Sequence, residues 1–85
     1  MSIEDKIGSA VGEVVHELYA ATEKFGSFAS AHEGYAIIAE EFKEFESAVF
    51  WNIDQHNRPS NPRGEALQLA AMAIRFLVDI DEDED

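Results

Sequence analysis

The fold of this chain is most constrained by an apolar repeat of helical period near its start. Hydrophobic side chains recur there at successive intervals of 4, 4, 3, 4, 3 and 4 residues. They are Ile3, Ile7, Val11, Val14, Leu18, Ala21 and Phe25. This spacing places one apolar stripe along an α-helix. We therefore predict a helix over residues 3–25, with Ser2 or the Glu4-Asp5 pair at its start and Gly26 after its end.

Two further helices are indicated by capping signals and apolar spacing. A capping box that begins at Ser30 precedes an apolar stripe, which predicts a helix over residues 31–51. Asn61 and Pro62 suit the cap and the first turn of a third helix, over residues 62–79. The third helix is apolar on two sides, which is typical of a helix sandwiched between neighbours.

The remaining segments lack helical periodicity. Residues 52–61 are polar and contain a proline, which predicts a loop, and the acidic run at residues 81–85 predicts a disordered tail. We therefore expect an all-α fold with a single helical domain over residues 1–80. A chain this short buries only about 60–65% of its unfolded surface. We expect the three-helix protomer to complete a helical bundle by homodimerisation through helices two and three, and a tetramer stays possible.

Charge and composition exclude several classes of function. Six Lys and Arg residues against 18 Asp and Glu residues give a net charge of -12, so direct nucleic-acid binding is not expected. No run approaches the roughly 20 apolar residues of a membrane span, and the start of the chain lacks the pattern of a signal peptide. We therefore expect a cytoplasmic protein that does not associate with a membrane. With zero cysteines, any metal site must use oxygen or histidine ligands.

The second helix carries three glutamates within five positions, Glu40, Glu41 and Glu44. Glu41 and Glu44 project from one shoulder of the helix beside its apolar stripe. Glu40 points away from that stripe, toward solvent or toward a partner such as Lys43 or Lys24. Two carboxylates three positions apart either repel each other or share a cation, and oxygen ligands select magnesium, manganese or calcium. A solvated glutamate-rich surface is the alternative interpretation.

A polar seam runs along the third helix beside its apolar surface. Its members recur at spacings of 3, 4, 3 and 4, and are Glu65, Gln68, Met72, Arg75 and Asp79. Antiparallel packing of helices two and three would bring Glu65 and Gln68 to the glutamates of helix two, around a cation. Arg75 is a planar donor suited to a phosphate, or equally a salt-bridge partner of Asp79 four positions later.

His56, Arg58 and Arg63 form a small basic island in this acidic chain. They could contact phosphates or merely balance nearby carboxylates. We take Arg63, together with Arg75, as candidate phosphate ligands.

The acidic residues together resemble a known family. The pattern that carries the likeness is Glu40-Glu41-x-x-Glu44, then twenty residues, then Glu65-x-x-Gln68. It is similar to the EExxE and ExxD motifs of the MazG-type all-α nucleoside triphosphate pyrophosphohydrolases. The strings around these motifs, at residues 32–41 and 66–76, resemble small MazG-like proteins of phages and prophages.

The resemblance implies a helical bundle completed by dimerisation, in which magnesium or manganese on the acidic residues binds a nucleoside triphosphate. Water then attacks between the α- and β-phosphates and releases a nucleoside monophosphate and pyrophosphate. Carried over residue by residue, it implies metal ligation by Glu41, Glu44 and Glu65, and a water-orienting catalytic role for Glu40. Gln68 stands where the family has Asp, and its neutral oxygen removes a charge from the metal shell, which weakens the site.

A function of a different class stays open on the residues alone. The chain could be a non-catalytic helical interaction protein whose acidic surface imitates nucleic acid or docks on a basic partner. The net charge of -12 and the presence of Gln68 favour that interpretation.

Overall fold

The structure is a computed structural model that describes residues 1–53 and 58–80. It contains three helices, α1 (Ile3–Phe25), α2 (Ala31–Phe50) and α3 (Pro62–Asp79). The predicted all-α class and the predicted helix boundaries are therefore confirmed, except that α2 ends one residue earlier. The difference arises because Trp51 is the C-cap, where its amide still bonds to the Ser47 carbonyl but the helix does not continue.

The ends of the helices follow the predicted capping chemistry. The Ser2, Ser30 and Asn61 side chains each accept a backbone hydrogen bond three residues on, at 3.1 Å. Glu33 completes the capping box one residue further out than usual, because its carboxylate accepts from the amide of Ala29 at 3.1 Å. These bonds satisfy amides that the first turns leave without helical partners.

The segments outside the helices are only partly described. An isolated antiparallel bridge joins Ile53 to Pro59, and no other β pairing occurs in the part of the chain that the structure describes. The predicted acidic tail, His56 and the middle of the predicted loop lie outside the described residues. Within the described ranges, no helix has the length and apolarity needed to cross a membrane.

Helix α3 lies between the other two helices, as its two apolar sides predict. Both α1 and α2 pack on α3, whereas α1 and α2 do not pack on each other within the described ranges. Helices α2 and α3 run antiparallel, since Gly34 near the start of α2 approaches Phe76 near the end of α3. The buried cluster is Ala21, Phe28, Ala71 and Met72. This arrangement leaves an open cleft between α1 and α2, with α3 as its floor.

The apolar stripe of α1 is buried only along its second half. Ala21 is buried and Leu18 packs against the core, but Ile3, Ile7 and Val11 are each more than half exposed. Helical periodicity identifies a face and not the partner that covers it. The first half of α1 therefore presents an apolar surface to solvent.

Candidate metal centre

Three glutamates converge where α2 and α3 pack against each other. Glu41 and Glu44 from α2 and Glu65 from α3 each contribute one carboxylate oxygen, and these oxygens all lie within 4.8 Å of one another. All three residues are half-buried. Antiparallel packing brings residue 44 opposite residue 65, as the sequence predicts. We call Glu41, Glu44 and Glu65 the acid cluster.

The acid cluster is electrostatically costly without a cation. Burial, together with the negative charges of Glu44 and Glu65, raises the pKa of Glu41 to about 7. The Oε2 atom of Glu41 is buried and accepts no hydrogen bond from any described residue. Carboxylate oxygens in this arrangement suit a hard divalent cation, whose charge would relieve the repulsion that otherwise keeps a proton on Glu41.

Two cavities flank the acid cluster. The larger, about 780 Å³, is the cleft between α1 and α2, and Phe28, Ile37 and Met72 form its apolar surface. The smaller, about 490 Å³, lies toward the connection between α2 and α3. Glu44 and Gln68 line both cavities, so the cluster forms the partition between them.

The two remaining residues of the family-like motifs lie at the edge of the site. Gln68 is half-buried and lines both cavities, on the α3 turn that follows Glu65. Glu40 is exposed and lines the smaller cavity together with Lys43 and Glu44. The structure therefore brings all five motif residues to one region, with Glu40 on its solvent side.

Arg75 is buried and held by protein groups. Its guanidinium donates to the carbonyl oxygen of Gly26 and lies 4.3 Å from the centre of the Phe28 ring. It also lies 3.8 Å from Asp79, whose carboxylate accepts from the Phe28 amide at 2.8 Å. The salt-bridge interpretation of Arg75 is thus the one observed, and these contacts fix the α1–α2 connection against the end of α3. A phosphate contact by Arg75 stays a prediction that these contacts do not support.

Arg63 forms a bidentate ion pair with Glu13 at 2.5 and 3.1 Å, across the exposed junction of α1 and α3. This hydrogen-bonded pair lowers the pKa of the Glu13 carboxyl. Arg63 lines neither of the two cavities beside the acid cluster. Its predicted role as a phosphate ligand stays a prediction.

Sequence reasoning named Arg58 in a basic island and Lys43 as a possible partner of Glu40, but it placed neither side chain, nor Phe28, at these cavities. Lys43 and Arg58 line the smaller cavity, and Phe28 is buried in the larger one. Lys43 could have been found from its position one turn after Glu40. Arg58 and Phe28 lie in connections without periodicity, so no pattern in the sequence placed them.

Comparison of the chain with protein-family models, with curated proteins and with solved structures gives no match in any of the three.

Proposed function

We propose that this protein is a MazG-like nucleotide-binding protein and a magnesium- or manganese-dependent nucleoside triphosphate pyrophosphohydrolase. The reaction would add water between the α- and β-phosphates and release a nucleoside monophosphate and pyrophosphate. The observation that supports it most is the convergence of Glu41, Glu44 and Glu65 within 4.8 Å beside two cavities. The same three positions match the metal-binding glutamates of the family motifs.

The acid cluster suits the demands of phosphoryl transfer. A bound divalent cation would neutralise charge on the phosphates, which is the main catalytic requirement of this chemistry. Glu41, Glu44 and Glu65 would supply charged oxygen ligands, and Gln68 would supply a neutral amide oxygen at the edge. Glu40, on the solvent side of the smaller cavity, would accept a hydrogen bond from the attacking water and orient it.

Dimerisation belongs to the same proposal. Among the described residues, several large hydrophobic side chains are exposed. A standard interface buries about 800 Å² on each partner. A second copy would cover the exposed apolar residues of α2 and α3, among them Tyr35, Phe42 and Leu77.

The proposed activity is tested by incubating the full chain with each nucleoside and deoxynucleoside triphosphate and magnesium. We expect monophosphate and pyrophosphate in equal amounts from at least one substrate. Glu65→Gln should lower the rate at least about 100-fold, since it removes one charged metal ligand. Glu46→Gln is the matched control, because it makes the same chemical change at an exposed position of α2 outside the acid cluster, and it should leave the rate unchanged.

The second candidate function is a non-catalytic acidic interaction protein. Its specific support is the net charge of -12 together with the neutral Gln68 in the metal shell. It predicts no hydrolysis of any triphosphate, with or without manganese, and salt-sensitive binding to a basic protein. Those two results together would contradict the enzymatic proposal and support the interaction protein.

A further inference from the structure

The smaller cavity brings opposite charges together beside the acid cluster. Glu40, Glu44 and Glu65 contribute its carboxylates, whereas Lys43 and Arg58 contribute its cations. The chain has only six Lys and Arg residues, so placing two of them at one cavity is a considerable share of its positive charge. A ligand in this cavity would contact cationic side chains on one side and a metal-binding cluster on the other.

The backbone next to Arg58, which lines this cavity, is tied to the end of α2. Pro59, the next residue, forms the antiparallel bridge with Ile53. The Ser60 hydroxyl donates to the carbonyl of Ala48 at 3.0 Å, and the Ser60 amide bonds to the Asn52 carbonyl at 3.3 Å. This short segment is therefore fastened to the end of α2. Arg58 is fixed near the acid cluster although it belongs to a connection without regular structure.

The larger cavity has a different chemical character. Phe28, Ile37 and Met72 give it an apolar surface. The guanidinium of Arg75 in its wall is already bonded to Gly26 and lies against Asp79. Lys24 and Arg75 also line this cavity, but of the two cavities only the smaller one is lined by Glu65, and the apolar surface of the larger one suits a flat organic ring.

We propose that Lys43 and Arg58 form a phosphate-binding subsite in the smaller cavity, which holds the diphosphate part of a ligand next to a cation on the acid cluster. This assignment rests on the proposed function for the identity of the metal site. The nucleoside part of a triphosphate would lie toward the larger, apolar cavity. Without a cation the cavity carboxylates repel an anion, so diphosphate binding requires the metal.

Isothermal titration of the full chain with inorganic pyrophosphate tests this subsite, in excess magnesium and again in EDTA. Wild-type protein should bind pyrophosphate in magnesium and not in EDTA. Arg58→Gln and Lys43→Gln should each weaken that binding about tenfold or more, as expected for loss of one charged donor. Lys6→Gln is the matched control, because it removes one positive charge from an exposed side chain of α1 outside the cavity, and it should change the affinity less than about twofold.

A magnesium titration of the same variants separates this subsite from the metal site. If Lys43 and Arg58 only balance the carboxylates, their removal should tighten magnesium binding and leave pyrophosphate affinity unchanged, which would overturn the subsite alone. The subsite alone would also be overturned if wild-type protein bound magnesium but no pyrophosphate. It would likewise be overturned if pyrophosphate bound equally well with magnesium and with EDTA, and equally well to all variants. Failure of wild-type protein to bind magnesium would overturn the proposed function, and the subsite with it.

Discussion

At the scale of single residues, the environment of Glu41 decides how the acid cluster behaves. Glu41 is half-buried beside Glu44 and Glu65, and its pKa is raised from 4.5 to about 7. Ionisation of Glu41 therefore opposes folding unless a cation compensates the charge.

The raised pKa of Glu41 predicts a pH-dependent stability of the metal-free protein. Between pH 4.5 and about 7 the folded state retains a proton on Glu41 that the unfolded state has released. Stability in EDTA should thus be highest below this window and fall as the pH rises through it. Urea unfolding at pH 5 and pH 8 measures this fall in the free energy of unfolding. Glu41→Gln should reduce the fall, and the control Glu46→Gln should leave it unchanged. An unchanged fall in Glu41→Gln would contradict the role of this residue.

A second residue-scale prediction concerns Gln68. Replacing it by aspartate, the residue of the family motif, should tighten magnesium binding, because magnesium prefers charged oxygen ligands. In EDTA the same change adds an anion beside the acid cluster, so the variant should unfold at a lower temperature than wild type. Melting curves in EDTA and in magnesium measure the two opposite effects. Equal magnesium responses would mean that position 68 does not face the cation.

At the scale of helices, close packing of α2 on α3 depends on Gly34. A Cβ atom at this position would lie 2.6 Å from the ring of Phe76 and 3.0 Å from the ring of Phe28. Phe28 cannot easily move, because it is buried and its ring lies under the guanidinium of Arg75. The absence of a side chain at position 34 lets the start of α2 approach the core.

Two alanine substitutions test this close approach. Gly34→Ala should lower the free energy of unfolding, since overpacking costs about 1–3 kcal/mol. Gly12→Ala is the control, because nothing lies within 4 Å of the added atom in α1. It should instead stabilise the protein by about 0.5–1 kcal/mol through helix propensity. Equal stabilisation by both substitutions would show that α2 does not pack as described.

The helices were predictable from the sequence because their signals are local. The caps at Ser2, Ser30 and Asn61 act within three residues, and the apolar spacing identifies the helices, although it does not show which parts of their apolar faces are covered. The antiparallel pairing that joins Glu65 to the α2 glutamates was also predictable, since consecutive helices usually lie next to each other. The positions of Phe28 and Arg58 did not, because they depend on contacts between distant segments that no periodicity encodes.

At the scale of the whole molecule, the extent of exposed apolar surface stands out. Phe42 of α2 is 52% exposed and Leu77 of α3 is 77% exposed, and in the part of the chain that the structure describes only five hydrophobic residues are buried. A monomer with so little core is marginal, so association would supply stability that one chain lacks.

This surface leads to a prediction about solution mass. Light scattering should give about twice the 9.5 kDa chain mass, or a higher multiple if dimers pair. Phe42→Glu should shift the population to monomer, because it buries a charge in the proposed interface of α2. Ser9→Glu, at an exposed position of α1 opposite its apolar stripe, should leave the mass unchanged. A wild-type monomer at micromolar concentration would contradict the dimer.

The claim on which the account depends is that Glu41, Glu44 and Glu65 bind a divalent cation. The most direct test is the melting temperature of wild-type protein as magnesium rises from zero, with EDTA as the reference. At one hundred times the dissociation constant the stabilisation should be about 2.7 kcal/mol. In a chain of 85 residues, each kcal/mol of added stability raises the melting temperature by about 4–8 °C. Glu44→Ala should abolish the rise, and the control Glu46→Ala should preserve it. The metal centre would be contradicted if the wild-type melting temperature stayed constant up to millimolar magnesium and manganese.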